Sequence, residues 1–223
     1  AVGAGKAGIL PMKAGSAINA ITFLEDYKET EGQLDIGRNI VVIGGGNTAM
    51  DTARAAKRVD GVEQVYLVYR RTKRYMPADA EELELTVKDG VVFKELLSPA
   101  ELIDGKLLCH KMKLGEPDVT GRRSVEETGE TVEIPADLVI AAVGEKTEGE
   151  FYRANGILLT EKETPAVDPV TLQCSIPGVY IIGDGRIGPA TVVEAIADAK
   201  KASQAILKEH RAEPKDYREA TAD

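Results

Sequence analysis

The sequence predicts an α/β fold built on a parallel sheet. Two apolar runs, Ile40–Ile43 and Leu138–Val143, stop abruptly at glycine, as strands buried on both faces do. The first run leads into a helical stretch with a small-residue face, and a further strand follows at Val65–Tyr69. Strand, helix, strand in that order is how a parallel sheet is assembled.

The first 35 residues contain Gly3-x-Gly5-x-x-Gly8, nominally a dinucleotide fingerprint. It lacks a full strand before it, and Pro11 interrupts the segment after it, so it is set aside. Ala17–Tyr27 is expected to be a short amphipathic helix. After Ile40–Ile43, a helix over Thr48–Arg58 places Ala49, Ala53 and Ala56 on one face, which lets it pack close to a sheet. Val65–Tyr69 is the next strand. Pro77 suits the first turn of a helix continuing over Ala78–Lys88. From Val91 to about Pro135 the pattern changes to short β-like runs. Asp104-Gly105 and the polar PDVTGRRSVEETGE break them, as in a meander of hairpins. Leu138–Val143 is a buried strand, and Val179–Asp184 is expected to be another. A helix over Thr191–Lys208 carries the stripe Val192, Ile196, Ala199, Ser203, Ile206. The tail EHRAEPKDYREATAD is polar and expected to fray.

The 223 residues suffice for one large domain or two small ones. Basic residues number 28 against 37 acidic, a net charge of -9, which argues against a general nucleic-acid binder. No apolar run approaches the roughly 20 residues of a membrane span. No secretion signal opens the chain, so a cytoplasmic protein is expected. The cysteines, Cys109 and Cys174, lie far apart and are expected to be buried structural thiols, with no metal site. His110 adjoins Cys109, but adjacent strand residues point to opposite faces, so the pair is discounted.

The turn Gly44-Gly45-Gly46-Asn47-Thr48-Ala49 has the context a nucleotide site needs: a strand enters and a helix leaves. Gly44 permits the tight turn and Gly46 lets a pyrophosphate approach the backbone. Ala49 takes the third position, where helix meets strand. The helix N-terminus then offers N–H groups to the phosphates. The competing reading is a glycine-rich turn in an ordinary α/β domain.

In a Rossmann-like NAD site, an acid at the end of the second strand binds the ribose 2′-OH. Here that position, near Tyr69, is followed by Arg70, Arg71, Lys73 and Arg74. Arginines would bind a 2′-phosphate through charge-assisted, often bidentate bonds. The inference is NADPH over NADH; the alternative is a solvated basic loop. Tyr69-x-x-x-Lys73 mimics the short-chain dehydrogenase pair, but at the adenine end of a nucleotide it is far from any hydride. No acid–base pair, nucleophile or metal cluster stands out, so no catalytic side chain is assigned. Gly183-Asp184 would emerge at the carboxyl end of a strand, where α/β folds place ligands, and Thr191 and Val192 would open the helix behind it.

The stretches VVIGGGNTAMDTARAAKRV, VYLVYRR, MPADAEE, DLVIAAVGE and GVYIIGDGRIGPATVVEAIADAKKAS occur in that order. They resemble the NADPH-dependent flavin subunit of glutamate synthase and its relatives, including the flavin half of dihydropyrimidine dehydrogenase and similar iron–sulfur-linked oxidoreductases. The resemblance covers almost the whole chain. It implies that Gly44, Gly45, Gly46, Asn47, Thr48 and Ala49 hold the NADPH pyrophosphate. It implies that Arg70 and Arg71, with Arg74, take the 2′-phosphate. Gly144 and Glu145 would lie at a crossover beside the nicotinamide. Gly183 and Asp184 would bind FAD, with Thr191 and Val192 at a helix start near its ring. The family's own FAD fingerprint and its cysteine-rich iron–sulfur domain are not in this sequence. The chain is therefore expected to be a fragment: residues 1–35 the end of an FAD-domain segment and linker, 36–148 an NADPH-binding domain with its β-meander, and 149–223 a C-terminal FAD-domain segment and tail. Its implied cofactors are NADPH and, in the parent enzyme, FAD. Its implied partner is the missing N-terminal FAD/iron–sulfur part or a partner reductase subunit.

Two functions are consistent with these residues. One is a flavoenzyme fragment in which NADPH hands a hydride to FAD, which feeds iron–sulfur clusters. The other is a non-catalytic NADP-binding regulatory module. Replacing Arg70 and Arg71 by Ala is expected to weaken NADPH far more than NADH, by about 1.5–3 kcal/mol per lost charged hydrogen bond. Equal losses for both nucleotides in calorimetric titrations would sink the 2′-phosphate assignment.

Overall fold

The structure, a computed structural model, describes residues 2–118, 121 and 123–209. Its contacts divide into two compact units, Gly8–Gly144 and Ala1–Ala7 with Glu145–Asp223. The elements begin with β1 (Lys6–Ala7), β2 (Ile18–Asn19), α1 (Ala20–Glu29), β3 (Asn39–Gly44) and α2 (Asn47–Lys57). Next come β4 (Gln64–Tyr69), a 3₁₀ turn at Lys73–Tyr75, α3 (Ala80–Lys88), β5 (Val92–Glu95) and β6 (Leu97–Ile103). The chain continues through β7 (Lys106–Pro117), β8 (Arg123–Pro135), β9 (Leu138–Ala142), β10 (Glu145–Lys146), α4 (Gly149–Ala154), α5 (Asp184–Ile187) and α6 (Val192–Glu209).

The unit Gly8–Gly144 is layered. Its middle is a five-stranded sheet of order β2-β9-β3-β4-β5, parallel throughout. β3 explains why its sequence shows no alternation. Ile40 and Val42 join Phe23, Met50, Leu67 and Ile140 in a core on the helix side. Val41 and Ile43 join Val68, Leu107, Cys109, Ile134 and Val139 on the other side. That second core is closed by the antiparallel sheet β6-β7-β8. A strand covered on both faces has no solvent side on which to place a polar residue. The alanine face of α2 behaves as expected: Ala49, Ala53 and Ala56 are fully buried.

The expected elements need several corrections. Val92–Glu95 is not part of a hairpin; β5 joins the parallel sheet beside β4. Only β6–β8 form the antiparallel meander, and β8 begins inside the polar stretch at Arg123. Pro77 lies outside the helix it was expected to open. The Ala78 N–H donates to the Gly45 carbonyl at 3.0 Å and the Asp79 N–H to Asn47 Oδ1 at 3.2 Å. Those bonds hold the segment out of the helix, and α3 starts with Asp79 as its N-cap. Ala17–Tyr27 is likewise divided: β2 comes first, and Asn19 Oδ1 caps α1 by accepting from the Ile21 N–H at 2.8 Å. Residues 8–35 fall within the Gly8–Gly144 unit. Gly8 serves packing: its N–H donates to the Gly144 carbonyl at 2.9 Å, and a Cβ there would overlap that oxygen.

In the second unit β1 pairs antiparallel with β10, and Tyr152, Ile157 and Ile181 form a small core. Val179–Asp184 is not a strand. It makes one isolated bridge, Gln173 with Tyr180, and Val179 and Ile182 are exposed. An apolar run becomes a strand only where a neighbour supplies its hydrogen bonds. The stripe on α6 is also uncovered: Val192 is 75% exposed and Ile196 49%, while Asp198 and Ala202 are the buried residues. The tail from His210 onward lies outside the described residues.

β7 and β8 are also linked by ion pairs across the strands, Lys106–Glu133, Lys111–Glu130 and Lys113–Glu126. The join between β9 and β3 is held by a carboxylate on backbone amides. Asp137 Oδ2 accepts the Asn39 N–H at 2.8 Å and the Arg38 N–H at 2.9 Å. Those bonds, Asn39 first, hold the Asp137 carboxyl below its ordinary range. The folded state thus binds the proton more weakly than the unfolded chain. The stabilisation is complete above about pH 4 and lost as pH falls through the lower, folded value. Asp137→Asn is expected to lower the thermal midpoint at neutral pH and to flatten its fall between about pH 4 and pH 2. Melting curves followed by circular dichroism would check both.

Candidate functional site

The chain steps from β3 outward to β4 and β5, then returns to lay β9 on the other flank of β3. Strand order therefore reverses between β3 and β9, whose carboxyl ends stand together, Gly44 opposite Ala142. Open α/β sheets bind ligands in the crevice at such a reversal.

Each glycine of the turn has its own reason. A Cβ on Gly44 would overlap the Ala142 carbonyl oxygen and lie 3.0 Å from the Ala49 Cβ. A Cβ on Gly45 would lie 2.5 Å from the Tyr69 ring. Both are required by packing. Gly46 is different. Its φ of -96° suits any residue. A Cβ there would meet only Pro77 Cγ, at 4.0 Å. Among the described residues nothing demands glycine at Gly46.

Gly46 is the N-cap of α2 and provides no side-chain cap. Asn47 turns its Oδ1 to the Asp79 N–H, away from the role of helix cap. Thr48 is exposed at the helix start and Ala49 is fully buried. The first turn therefore presents backbone N–H groups and the positive end of the helix dipole to the crevice.

The basic segment follows β4. Arg70, Lys73 and Arg74 are exposed. Arg71 is 8% exposed, and its Nε donates to the Arg123 carbonyl at 3.1 Å. The Tyr69 hydroxyl donates to the Tyr75 carbonyl at 2.7 Å, which takes it out of any Tyr–Lys catalytic pair. Glu95 Oε2 accepts the Lys73 N–H at 2.9 Å. These bonds give the loop a defined course. Gly144, in the left-handed region at φ +90°, closes the unit beyond the end of β9. Glu145 begins the other unit, paired with Ala7.

The second group of expected residues lies in that other unit. Asp184 opens α5, and its Oδ1 accepts the Ala190 N–H at 3.2 Å. The Gly183 N–H donates to Asp198 Oδ2 at 3.0 Å. Asp198 also takes both prongs of the Arg186 guanidinium, at 2.7 and 2.8 Å, which keeps its carboxyl below the usual range. Sequence reasoning missed this pair of a buried acid and a half-buried arginine; the signal was an acid four residues before Ala202 on the same helix. It also missed the capping box at Thr191-x-x-Glu194. Glu194 Oε2 accepts the Thr191 N–H at 2.9 Å, and Thr191 Oγ1 accepts the Glu194 N–H at 3.3 Å. Val192 stands exposed beside it.

Cys109 is fully buried, and burial pushes its thiol up to about 12, so it stays protonated at neutral pH. His110 faces the other way, with Nδ1 4.0 Å from Glu127. Among the described residues no cluster of His, Cys, Asp and Glu could hold a metal ion, and no helix is long and apolar enough to cross a membrane.

A family model for pyridine nucleotide-disulphide oxidoreductases matches residues 1–199. The putative oxidoreductase YgfK of Escherichia coli (strain K12) is 43% identical over 189 residues, covering 84% of this chain and 18% of that protein. The putative glutamate synthase (NADPH) small chain of Cereibacter sphaeroides is 37% identical over 215 residues, covering 93% of this chain and 52% of that one. The chain thus spans only part of the length of these relatives. Among solved structures, FprA of Mycobacterium tuberculosis in complex with NADPH matches with a TM-score of 0.75 at 21% identity, covering 93% of this chain and 62% of that one. At that identity the likeness shows the fold.

The glycine turn yields a paired prediction. Gly45→Ala is expected to cost about 1–3 kcal/mol of stability, because its methyl meets the Tyr69 ring. Gly46→Ala is expected to change stability by less than about 0.5 kcal/mol, yet to weaken nucleotide binding. Denaturant unfolding beside calorimetric titration would separate the two effects.

Proposed function

The chain belongs to the pyridine nucleotide-disulphide oxidoreductase family, and from that premise we propose that it is the NADPH-binding portion of a longer flavoenzyme. The observation that carries this reading is Gly46, a glycine that the protein's own packing does not require, at the mouth of an uncapped helix and beside an exposed arginine loop. The parent enzyme would resemble the glutamate synthase small subunit, passing electrons from NADPH through FAD to iron–sulfur clusters.

The Gly8–Gly144 unit suits NADPH. Backbone N–H groups of Asn47 and Thr48 would face the pyrophosphate, which Gly46 lets approach closely. The basic segment after Tyr69 would select the 2′-phosphate. NADPH, once bound, supplies the hydride; the residues of this chain bind and orient it.

FAD is matched only in part. Gly183 and Asp184, with Thr191 and Val192, would contribute the C-terminal side of its site. No described strand–glycine turn–helix other than β3–α2 is present to cradle a second set of phosphates. The exposed apolar side chains of α6, Val192, Val193, Ile196 and Leu207, suit a helix that packs on further parts of a longer chain. A partner subunit, or the remainder of the same chain, would supply the rest of the flavin site and the electron acceptor.

Calorimetric titration of the purified chain with NADPH and NADH tests this, preceded by a visible spectrum. NADPH is expected to bind at least about tenfold tighter than NADH, a difference of about 1.4 kcal/mol. Equal affinities, or none for either, would overturn the reading. A yellow sample would mean that the FAD segment here suffices to retain flavin, and a colourless one that it does not.

A further inference from the structure

A cavity of about 450 Å³ lies within the Gly8–Gly144 unit and shares no residue with the glycine turn. It opens where β5 passes into β6, against the middle of β7 and β8. Leu96, Leu97, Met112 and Val132 give it an apolar lining, and Lys94 lines it beside them.

Lys94 is the unusual member. It stands opposite Val68 in the parallel register, and Val68 belongs to the core under the antiparallel sheet, so Lys94 is on the covered side of its strand. Its Nζ lies 5.6 Å from the centroid of the half-buried Tyr66 ring. An aromatic face attracts a cation but leaves its N–H groups able to donate. The β7 lysines each have a glutamate, Lys106 with Glu133, Lys111 with Glu130 and Lys113 with Glu126. Among the described residues no carboxylate pairs with Lys94, in a chain whose acids outnumber its bases 37 to 28. β5 is an edge of its sheet, and an inward lysine discourages edge pairing. That accounts for a charge on β5 but not for the apolar cavity beside it.

Two irregularities meet at the same cavity. Leu96 holds φ at +58°, in the left-handed region that a leucine rarely adopts. Across from it β8 bulges: between the pairs His110–Thr131 and Met112–Glu127, Lys111 alone faces Thr128, Gly129 and Glu130. Thr128 Oγ1 fixes the bulge by donating to the Lys111 carbonyl at 3.1 Å and accepting the Glu130 N–H at 3.2 Å. Strained backbone and bulges of this kind gather where side chains are aimed at ligands.

We propose that this cavity is a second ligand site, apart from the nucleotide crevice, for a small monocarboxylate with an apolar body. Lys94 takes the carboxylate, and Leu97, Met112 and Val132 take the body. One uncommitted cation suits one negative charge. Glu95 and Glu130, also at the cavity, repel a second, which disfavours dicarboxylates and phosphates. The volume suits a body of several carbons.

The test uses the whole chain labelled with ¹³C-methyl methionine and followed by NMR, with Met112→Leu to identify the Met112 signal. Hexanoate is the probe. The Met112 signal is expected to shift and saturate, while that of Met50, fully buried in the core on the other side of the sheet, stays still. Hexanamide, which keeps the body without the charge, and acetate, which keeps the charge without the body, are each expected to bind about tenfold more weakly or worse. Lys94→Gln is expected to weaken hexanoate about tenfold or more. Lys94→Arg, which keeps the charge, and Lys113→Gln, outside the cavity, are expected to change it less than about threefold.

A Met112 signal that stays still, or drifts without saturating, would overturn the proposal. So would equal binding of hexanamide, or hexanoate binding unchanged in Lys94→Gln, which would leave Lys94 as a guard of the sheet edge. If Lys94→Gln does not fold, hexanoate against hexanamide and acetate on the parent chain decides. None of these outcomes alters the nucleotide reading.

Discussion

The close approach of β3 and β9 governs this structure. β3 is buried on both faces, and β9 lies beside it so tightly that Gly44 has no room for a methyl group. β3 therefore leaves the sheet through Gly44 and Gly45, where a side chain would collide. The helix that follows must then start close to the sheet, which is why its face is alanine. The candidate crevice is a by-product of this crowding. It lies where strand order reverses and the first amides of α2 have no side chain to receive them.

Around that point the protein uses its polar groups to hold backbone in place. Asp137 grips the start of β3, and Asn47 and Gly45 grip the segment before α3. Glu95, Tyr69 and Arg71 grip the loop after β4. They fix where amides and arginines stand. The second unit uses the same device, with Asp198 holding the Gly183 N–H and Arg186 together.

The features legible in the sequence were local. The strand entering a glycine turn, the alanine face of α2 and the basic segment after β4 each depend on neighbours within a few residues, and all three stand in the structure. The order of motifs also pointed to the right family, to which the comparisons assign the chain. The expectations that failed depended on distant partners. Val92–Glu95 reads like a hairpin strand until β4 is seen to claim it. Val179–Asp184 reads like a strand, but the neighbouring Leu172–Cys174 stretch gives it only one isolated bridge. Pro77 reads like a helix start until Gly45 and Asn47, some thirty residues earlier, are found holding the residues after it. Arg71 looked interchangeable with Arg70, because nothing in two adjacent arginines shows that the first is exposed and the second buried.

The ion pairs across β7 and β8 have a consequence for the behaviour of the chain in bulk. β8 is an edge strand of its sheet, 13 residues long, and an open edge of that length invites another strand to add itself. Glu126, Glu127, Glu130 and Glu133 line much of it. The lysines of β7 offset part of that charge within one molecule, but a second β8 arriving alongside would bring carboxylates against carboxylates. The glutamates that look like ordinary surface charge would thus oppose such an addition.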